Sequence, residues 1–411
     1  MTSEYIILIA GFVFGFYMAW NIGANDVANS MASSVGAKAI TVRQAIVIAS
    51  ILNLIGAAFI GSHVTDTIRK GIVSNEILND PHMAFVGALA ALLSAALWVS
   101  FATWKSMPIS TTHSIVGAMI GFGIIAGGFN AIKWGKLTSV ILSWIISPAL
   151  SIILSFLMFS IIKRLIISRN DSFDRALKLS PFFVGISIFI VVLSFLFKTP
   201  LGKTLSLGTP MAVLIAIIIA LLIGYTARFF LKRIKRNISG DNGEEVFRYI
   251  QVGTACYVAL AQGANDVANA IAPLAVIYFF VKTGTVGDQV PVPFFLLLFG
   301  GVGIALGISM AGRRVMETLG TKITHLSNSR GFCVEFAAAT TVLFASKLGL
   351  PVSTTHAAVG GVLGVGMARG MEALNLRLVY EIIFYWLLTL PAAAITCMVI
   401  YRILQFILQR M

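Results

Sequence analysis

Polar and charged positions along this chain do not alternate with apolar ones at a strand or surface-helix period. They collect in short segments between long apolar runs. Residues 45–61, 84–103, 181–197 and 211–227 contain no charged side chain. Each is long enough, or nearly so, to cross a bilayer as one helix, a length of about 20 residues. Twelve such segments begin near residues 4, 42, 83, 108, 137, 181, 209, 249, 292, 332, 353 and 378. The pattern predicts an all-α polytopic membrane protein of about twelve transmembrane helices. Buried helices of a large soluble enzyme are excluded, because too little polar sequence is left to make a surface. Of the 411 residues 58% are apolar and 11% charged, where a soluble protein carries about 25% charged residues.

The net charge of +14 invites a nucleic-acid reading. The placement of the charge argues against it. Lys and Arg gather at 163–178, 228–248 and 313–330, between apolar runs, the pattern of cytoplasmic loops beside anionic lipid. Putting most of the basic residues inside places both termini outside, in a multi-pass protein of the cell membrane. Glu4 and the lack of a basic residue before the first apolar run make that run a first span and not a cleaved signal. Cys256, Cys333 and Cys397 lie in apolar runs without CxxC spacing, so neither a disulfide nor a metal site is expected.

The chain repeats itself. GANDVANS at 23–30 returns as GANDVANA at 263–270, and PISTTHSIVGAMIG at 108–121 returns as PVSTTHAAVGGVLG at 351–364. GSHVTDTI at 61–68 aligns more loosely with GRRVMETL at 312–319, pairing Asp66 with Glu317. The organisation read from this is a first transmembrane repeat at 1–162, two linking helices with basic loops at 163–248, and a second repeat at 249–411. Five spans and two linking spans precede the second repeat. That odd number makes the repeats enter the membrane from opposite faces. Inverted repeats of this kind belong to secondary transporters, with the binding site near the midplane. A re-entrant segment at 108–125 would change the count.

Two polar signatures carry the chemistry. The lightly charged stretches 5–37 and 249–281 are too long for one straight crossing, and GANDVAN falls beyond the middle of each. Gly23, Gly263 and Pro273 therefore predict helices broken near the midplane, with loose backbone groups lining an enclosed cavity. Asp26 and Asp266 then lie inside the membrane, where carboxylates are expensive and usually functional. Asn25, Asn29, Asn265 and Asn269 flank them. A single copy would read equally well as a polar contact between helices; two copies, each with an Asp, favour a site.

The second signature, Pro-x-Ser-Thr-Thr-His, reads as a helix start. Pro108 and Pro351 end what precedes, and Ser110 and Ser353 are N-cap candidates. The N–H groups of such a start suit an anion. Ser110, Thr111, Thr112, Ser353, Thr354 and Thr355 add six hydroxyls. For His113 and His356, structural hydrogen bonds fit better than ligation, since neither has a His or Cys neighbour. Glu335 is a further intramembrane carboxylate, serving either a cation or a helix contact.

No Lys or Arg lies within either motif. A phosphate-like anion beside two carboxylates gathers three or four negative charges at low dielectric, which requires accompanying cations or protonated carboxyls. Hard oxygen ligands suit Na⁺ and equally a protonation switch. The chemistry predicts cation-coupled anion uptake and not a free pore.

Paired GANDVAN motifs, each followed by P-x-STTH, make the chain resemble the inorganic phosphate transporter (Pit) family over nearly its whole length. The resemblance implies symport of inorganic phosphate with Na⁺ or H⁺ by alternating access, on twelve-odd helices in inverted repeats. Carried over by position, it implies phosphate binding by Ser110, Thr111, Thr112, Ser353, Thr354, Thr355, Asn25 and Asn265. It implies cation binding by Asp26, Asp266, Asn29, Asn269 and Glu335, with Na⁺ at Asp26 and Asp266 as coupling ion and no other cofactor. Asn53 departs from animal members, which often place Glu there, and their long cytoplasmic loop is missing, which points to a compact prokaryotic form. The partners implied are phosphate, Na⁺ or H⁺, the lipid bilayer and a second copy in a homodimer. Rival readings are an H⁺-coupled phosphate or metal–phosphate carrier, a sulfate permease, a passive anion channel and a membrane hydrolase. The hydrolase lacks a metal-ligand cluster or activating base beside either Asp.

Overall fold

The computed structural model describes residues 2–61, 72–74, 77, 80–198, 202, 205–233, 242–283, 292–347 and 352–408. Each of the twelve apolar segments is a helix. The first repeat holds α1 (Thr2–Gly36), α2 (Val42–Ile60), α3 (Pro81–Trp104), α4 (Thr111–Gly127) and α5 (Trp134–Ile162). Two helices follow, α6 (Ser172–Lys198) and α7 (Thr209–Leu231). The second repeat holds α8 (Asn242–Thr283), α9 (Phe294–Glu317), α10 (Asn328–Lys347), α11 (Thr354–Met367) and α12 (Leu376–Leu408). Among the described residues, nine helices are long and apolar enough to cross a membrane, and the isolated bridge Val73–Ile132 is the β pairing present.

The local signals explain the helix starts. Thr41 and Gln44 form a capping box on α2. Asp80 caps α3 through the Met83 N–H, with Pro81 in its first turn. Ser110 and Ser353 accept the His113 and His356 N–H groups, as their sequence positions predict.

GANDVAN is where expectation and structure part. Both α1 and α8 run unbroken through it. Gly23 and Gly263 serve close approach instead of flexibility. A Cβ at Gly23 would lie 1.9 Å from the Ile304 carbonyl oxygen on α9, and one at Gly263 would lie 2.2 Å from that of Asn53 on α2. The contacts are reciprocal: Gly307 of α9 meets the Trp20 carbonyl, and Gly56 of α2 meets that of Leu260. Small residues let membrane helices pack backbone to backbone, so α1 lies on α9 as α8 lies on α2. Pro273 is carried inside α8 without ending it.

The breaks fall at the second signature. α3 and α4 lie antiparallel, with Gly87 near the start of α3 against the Phe122 ring near the end of α4. The segments flanking the pair are joined, since Ser74 N–H donates to the Ala131 carbonyl and Lys133 N–H to that of Ile72, both at 2.8 Å. The pair therefore enters and leaves through one membrane face. α10 and α11 form the equivalent hairpin, with Gly361 against Val334. Its ends meet near the opposite face, where Arg369 donates to the His325 carbonyl at 3.2 Å. The two opposed tips meet where Thr355 donates to the Ile109 carbonyl at 3.1 Å, so each hairpin stops part-way and segment 108–125 is one leg of a re-entrant hairpin. Three crossings (α1, α2, α5) and two linking ones (α6, α7) still make an odd number, so the inversion of the repeats survives the smaller count.

The basic segments share a face. Arg248 donates to the Ala39 carbonyl at 3.0 Å, Ser327 donates to Glu244 at 2.9 Å, and the Arg330 guanidinium lies 5.3 Å from the Phe159 ring centre. At the other face Phe85 stacks on Phe280 near the end of α8, and Phe122 meets Tyr401 near the end of α12. Asp66 of the looser match lies outside the described residues, while Glu317 pairs with Arg313 at 2.7 Å. Cys256, Cys333 and Cys397 are free thiols.

Candidate functional site

The two hairpin tips converge on the two GANDVAN helices, and the contacts cross between repeats. Asn29 of α1 donates to the hydroxyls of Thr354 and Thr355, at 3.2 and 3.0 Å, on the second hairpin. Asn269 of α8 donates to Thr111 and Thr112, at 3.3 and 3.4 Å, on the first. This pseudo-symmetric exchange follows from the inverted repeats: equivalent Asn residues reach equivalent Thr pairs across the midplane.

Asp26 is buried at the centre of the exchange. Thr111 donates to its Oδ2 at 2.6 Å; Asn29 and Thr355 approach Oδ1 at 3.4 Å each. Asp266 is likewise buried and accepts from Asn265 at 3.0 Å. Thr111 links the two halves: it donates to Asp26 and accepts from Asn269, one turn along α8 from Asp266. Asn29, Asn265 and Thr354 also line a cavity that extends along α8 past Gln262 to Tyr257 and Ser194. Of the two hairpin starts, that of α11 lines this cavity through Thr354, while that of α4 meets Asp26 through Thr111.

Three expected ligands are engaged elsewhere. The Ser110 and Ser353 hydroxyls accept the cap N–H groups. Asn25 braces the first hairpin: its amide donates to Thr103 at 2.9 Å and to the Met107 carbonyl at 3.0 Å, while its oxygen accepts the Ile109 N–H at 3.1 Å. Asn53 donates to its own helix at the Ala49 carbonyl.

Glu335, on α10, meets α1 at Ser33 and Ser34, two turns along that helix from Asp26. One carboxylate oxygen accepts from Ser33 at 2.6 Å, Ser34 at 2.8 Å and Gln251 at 3.4 Å. Its second oxygen and the Gln251 amide oxygen are buried without a hydrogen-bond partner. Gln251, Ser33 and Ser34 had no sequence pattern to mark them; their one signal is polarity inside long apolar helices.

The two motif histidines meet. The His113 and His356 rings lie edge to face with centroids 4.4 Å apart, His113 against Trp144 and His356 against Trp386, each at 3.7 Å. The His356 Nδ1 is 3.1 Å from the Trp144 carbonyl, and Trp386 donates to the Pro108 carbonyl at 3.1 Å. This cluster packs both hairpin tips against α5 and α12; His356 makes the expected hydrogen bond, whereas both His113 ring nitrogens are buried without one and its contacts are with rings.

Inverted repeats, two opposed re-entrant hairpins and paired carboxylates under helix starts define a secondary-transporter class of membrane protein. Similarity to known proteins narrows this. The chain belongs to the phosphate transporter family, whose model matches residues 22–397. It is 47% identical over 402 residues to the Thermococcus kodakarensis protein named "Putative phosphate permease TK2061", covering 97% of this chain and 98% of that one. It is 42% identical over 429 residues to the chloroplastic inorganic phosphate transporter 2-1 of Arabidopsis thaliana, covering 97% and 73%. A solved structure named "The sodium-dependent phosphate transporter" superposes with a TM-score of 0.88 at 45% identity, over 98% of this chain and all of that one. The protein is a phosphate transporter and not an enzyme.

Proposed function

We propose that the chain imports inorganic phosphate in symport with Na⁺ by alternating access. The observation that carries this reading is the crossed contact set at Asp26. Two buried carboxylates, Asp26 and Asp266, lie among Thr111, Thr112, Thr354 and Thr355 at the starts of opposed helices. Phosphate suits the helix starts and threonine hydroxyls, and cations suit the Asp26, Asp266, Asn29 and Asn269 oxygens. Neither ligand suits the place alone, because the anion meets two carboxylates and the carboxylates carry charge away from water. Simultaneous loading removes both penalties, which is coupling in physical terms. The sodium dependence in the name of the structural neighbour supports Na⁺ over H⁺.

In this reading the repeats at 1–162 and 249–411 alternate around the site, with 163–248 supplying the linking pair. Glu335, with its second oxygen and that of Gln251 available, is a separate cation site toward the basic face. Ser110, Ser353 and Asn25 hold the hairpins in shape, and Asn265 faces the access cavity. The basic face is cytoplasmic by the positive-inside rule, which puts both termini outside the plasma membrane.

Uptake of labelled phosphate into proteoliposomes under a Na⁺, K⁺ or pH gradient, with sulfate as competitor, tests the proposal. Saturable uptake driven by Na⁺ and unaffected by sulfate is expected. Uptake driven by the pH gradient alone overturns the Na⁺ assignment, and inhibition by sulfate at equal concentration overturns the substrate.

A further inference from the structure

A groove with about 640 Å³ of space runs between α6, α7 and α8, separate from the phosphate site. Its walls are apolar, among them Ile188, Val191, Phe230 and Ile250, and Arg233 stands at its mouth. From the level of Tyr249 to that of Tyr257 it follows two turns of α8, about 12 Å at helical rise. Gly253 faces it, and a Cβ there would meet nothing within 4 Å, so the space is open beside the backbone.

We propose that this groove is a binding site for one anionic phospholipid, with an acyl chain along Gly253 and the headgroup phosphate on Arg233. Three observations point to that occupant. Two residues of the groove itself, Phe230 and Tyr249, are exposed large hydrophobic side chains, so the groove opens where lipid chains lie. The Arg233 guanidinium rests on the rings of Phe229 and Phe230, at 5.1 and 5.8 Å from their centres. Stacking fixes its plane and leaves edge N–H groups for phosphate oxygens. Arg228 and Lys232 adjoin it, and basic clusters at the end of a membrane helix attract anionic headgroups. A free phosphate ion is a poor occupant, because the apolar walls give no replacement for its hydration. At its inner end the groove reaches Val191 and Tyr257, which also line the cavity beside Asn265. The bound chain therefore fills the gap between the linking helices and the helix that carries Asp266, and its headgroup charge selects the lipid.

Native mass spectrometry and thermal unfolding of the full-length protein in detergent test this, with phosphatidylglycerol and phosphatidylcholine of identical chains added after delipidation. One phosphatidylglycerol is expected to be retained per chain, at least about tenfold more than phosphatidylcholine, with a higher melting temperature. Arg233→Gln should abolish the preference between the two headgroups. Gly253→Leu, whose Cβ meets nothing within 4 Å and whose side chain extends into the groove, should abolish retention of both while phosphate uptake in bulk lipid persists. Equal retention of the two lipids by the unaltered protein overturns the proposal. So does retention by Gly253→Leu equal to that of the unaltered protein. A lipid-free dimer whose subunits cross-link through cysteines placed along the groove assigns it to a second copy and overturns it as well.

Discussion

Asn29 and Thr355 stand 326 positions apart and share a 3.0 Å hydrogen bond, which joins the GANDVAN helix of one repeat to the hairpin start of the other. Asn269 makes the mirrored connection to Thr112, at 3.4 Å. Each half of the site is thus completed by the opposite repeat. One copy of either motif presents half a cavity.

Replacing Asn29 or Asn269 with Ala removes a buried donor that serves two hydroxyls. Leaving those threonines without their donor costs about 1–3 kcal/mol. Phosphate uptake should fall by about tenfold or more in each variant, with similar losses in the two because the contacts are equivalent. Initial rates in proteoliposomes measure this. A rate within about twofold of the unaltered protein, for either Asn, shows that the crossed contact is dispensable.

Asp26→Asn keeps the shape of the side chain and removes its charge. Thr111, Asn29 and Thr355 all donate toward the carboxylate, and the Thr hydroxyls can turn to accept from the new amide. The variant should fold, reach the membrane and lose Na⁺-driven uptake, as should Asp266→Asn. Uptake assays run beside gel-filtration profiles separate lost coupling from lost folding. Normal uptake in both variants removes the two aspartates from the cation site.

How far the sequence disclosed this arrangement depends on which interaction decided each element. The twelve helices were legible, because hydrophobic length and capping are local: Ser110 and Ser353 cap where their spacing predicts. Inversion was legible from an odd number of crossings, and it holds although α3–α4 and α10–α11 fold back. Re-entrance itself was not, since it depends on the tip of one hairpin meeting that of the other, Thr355 on Ile109, 246 positions apart. Nor can a sequence window tell a glycine that frees the backbone from one that admits a neighbouring helix. Gly23 and Gly263 are of the second kind. The partners of Glu335 come from α1 and α8, where Ser33 and Gln251 carried no pattern of their own.

That distinction has a direct test in Gly23→Ala and Gly263→Ala. If these residues were hinges, Ala would stiffen the helices and change transport more than stability. The packing instead places a carbonyl oxygen 1.9 or 2.2 Å from the new Cβ. Overpacking of this kind costs about 1–3 kcal/mol or more, so both variants should melt at lower temperature than the parent. Gly253→Ala is the control, with open space at its Cβ; helix propensity predicts a gain of up to about 1 kcal/mol there. Melting curves in detergent decide the matter, and an unchanged melting temperature for Gly23→Ala refutes the packing account.

Glu335→Gln separates the second carboxylate from the first. Ser33 and Ser34 donate to one Glu335 oxygen, and an amide oxygen can accept the same two hydrogen bonds. The fold should persist. The second oxygen becomes an NH₂ group and cannot coordinate a cation; it faces a neighbourhood in which the Gln251 oxygen has no other partner. If Glu335 holds a coupling cation, the Na⁺ concentration for half-maximal uptake should rise by about tenfold or more. The phosphate KM at saturating Na⁺ should move far less, because the threonine hydroxyls and hairpin starts are untouched. A merely structural carboxylate predicts the opposite pattern: a lower melting temperature with the Na⁺ dependence unchanged. Uptake titrated against Na⁺ at fixed phosphate, then against phosphate at fixed Na⁺, distinguishes the two, and an unmoved Na⁺ dependence removes Glu335 from the cation path.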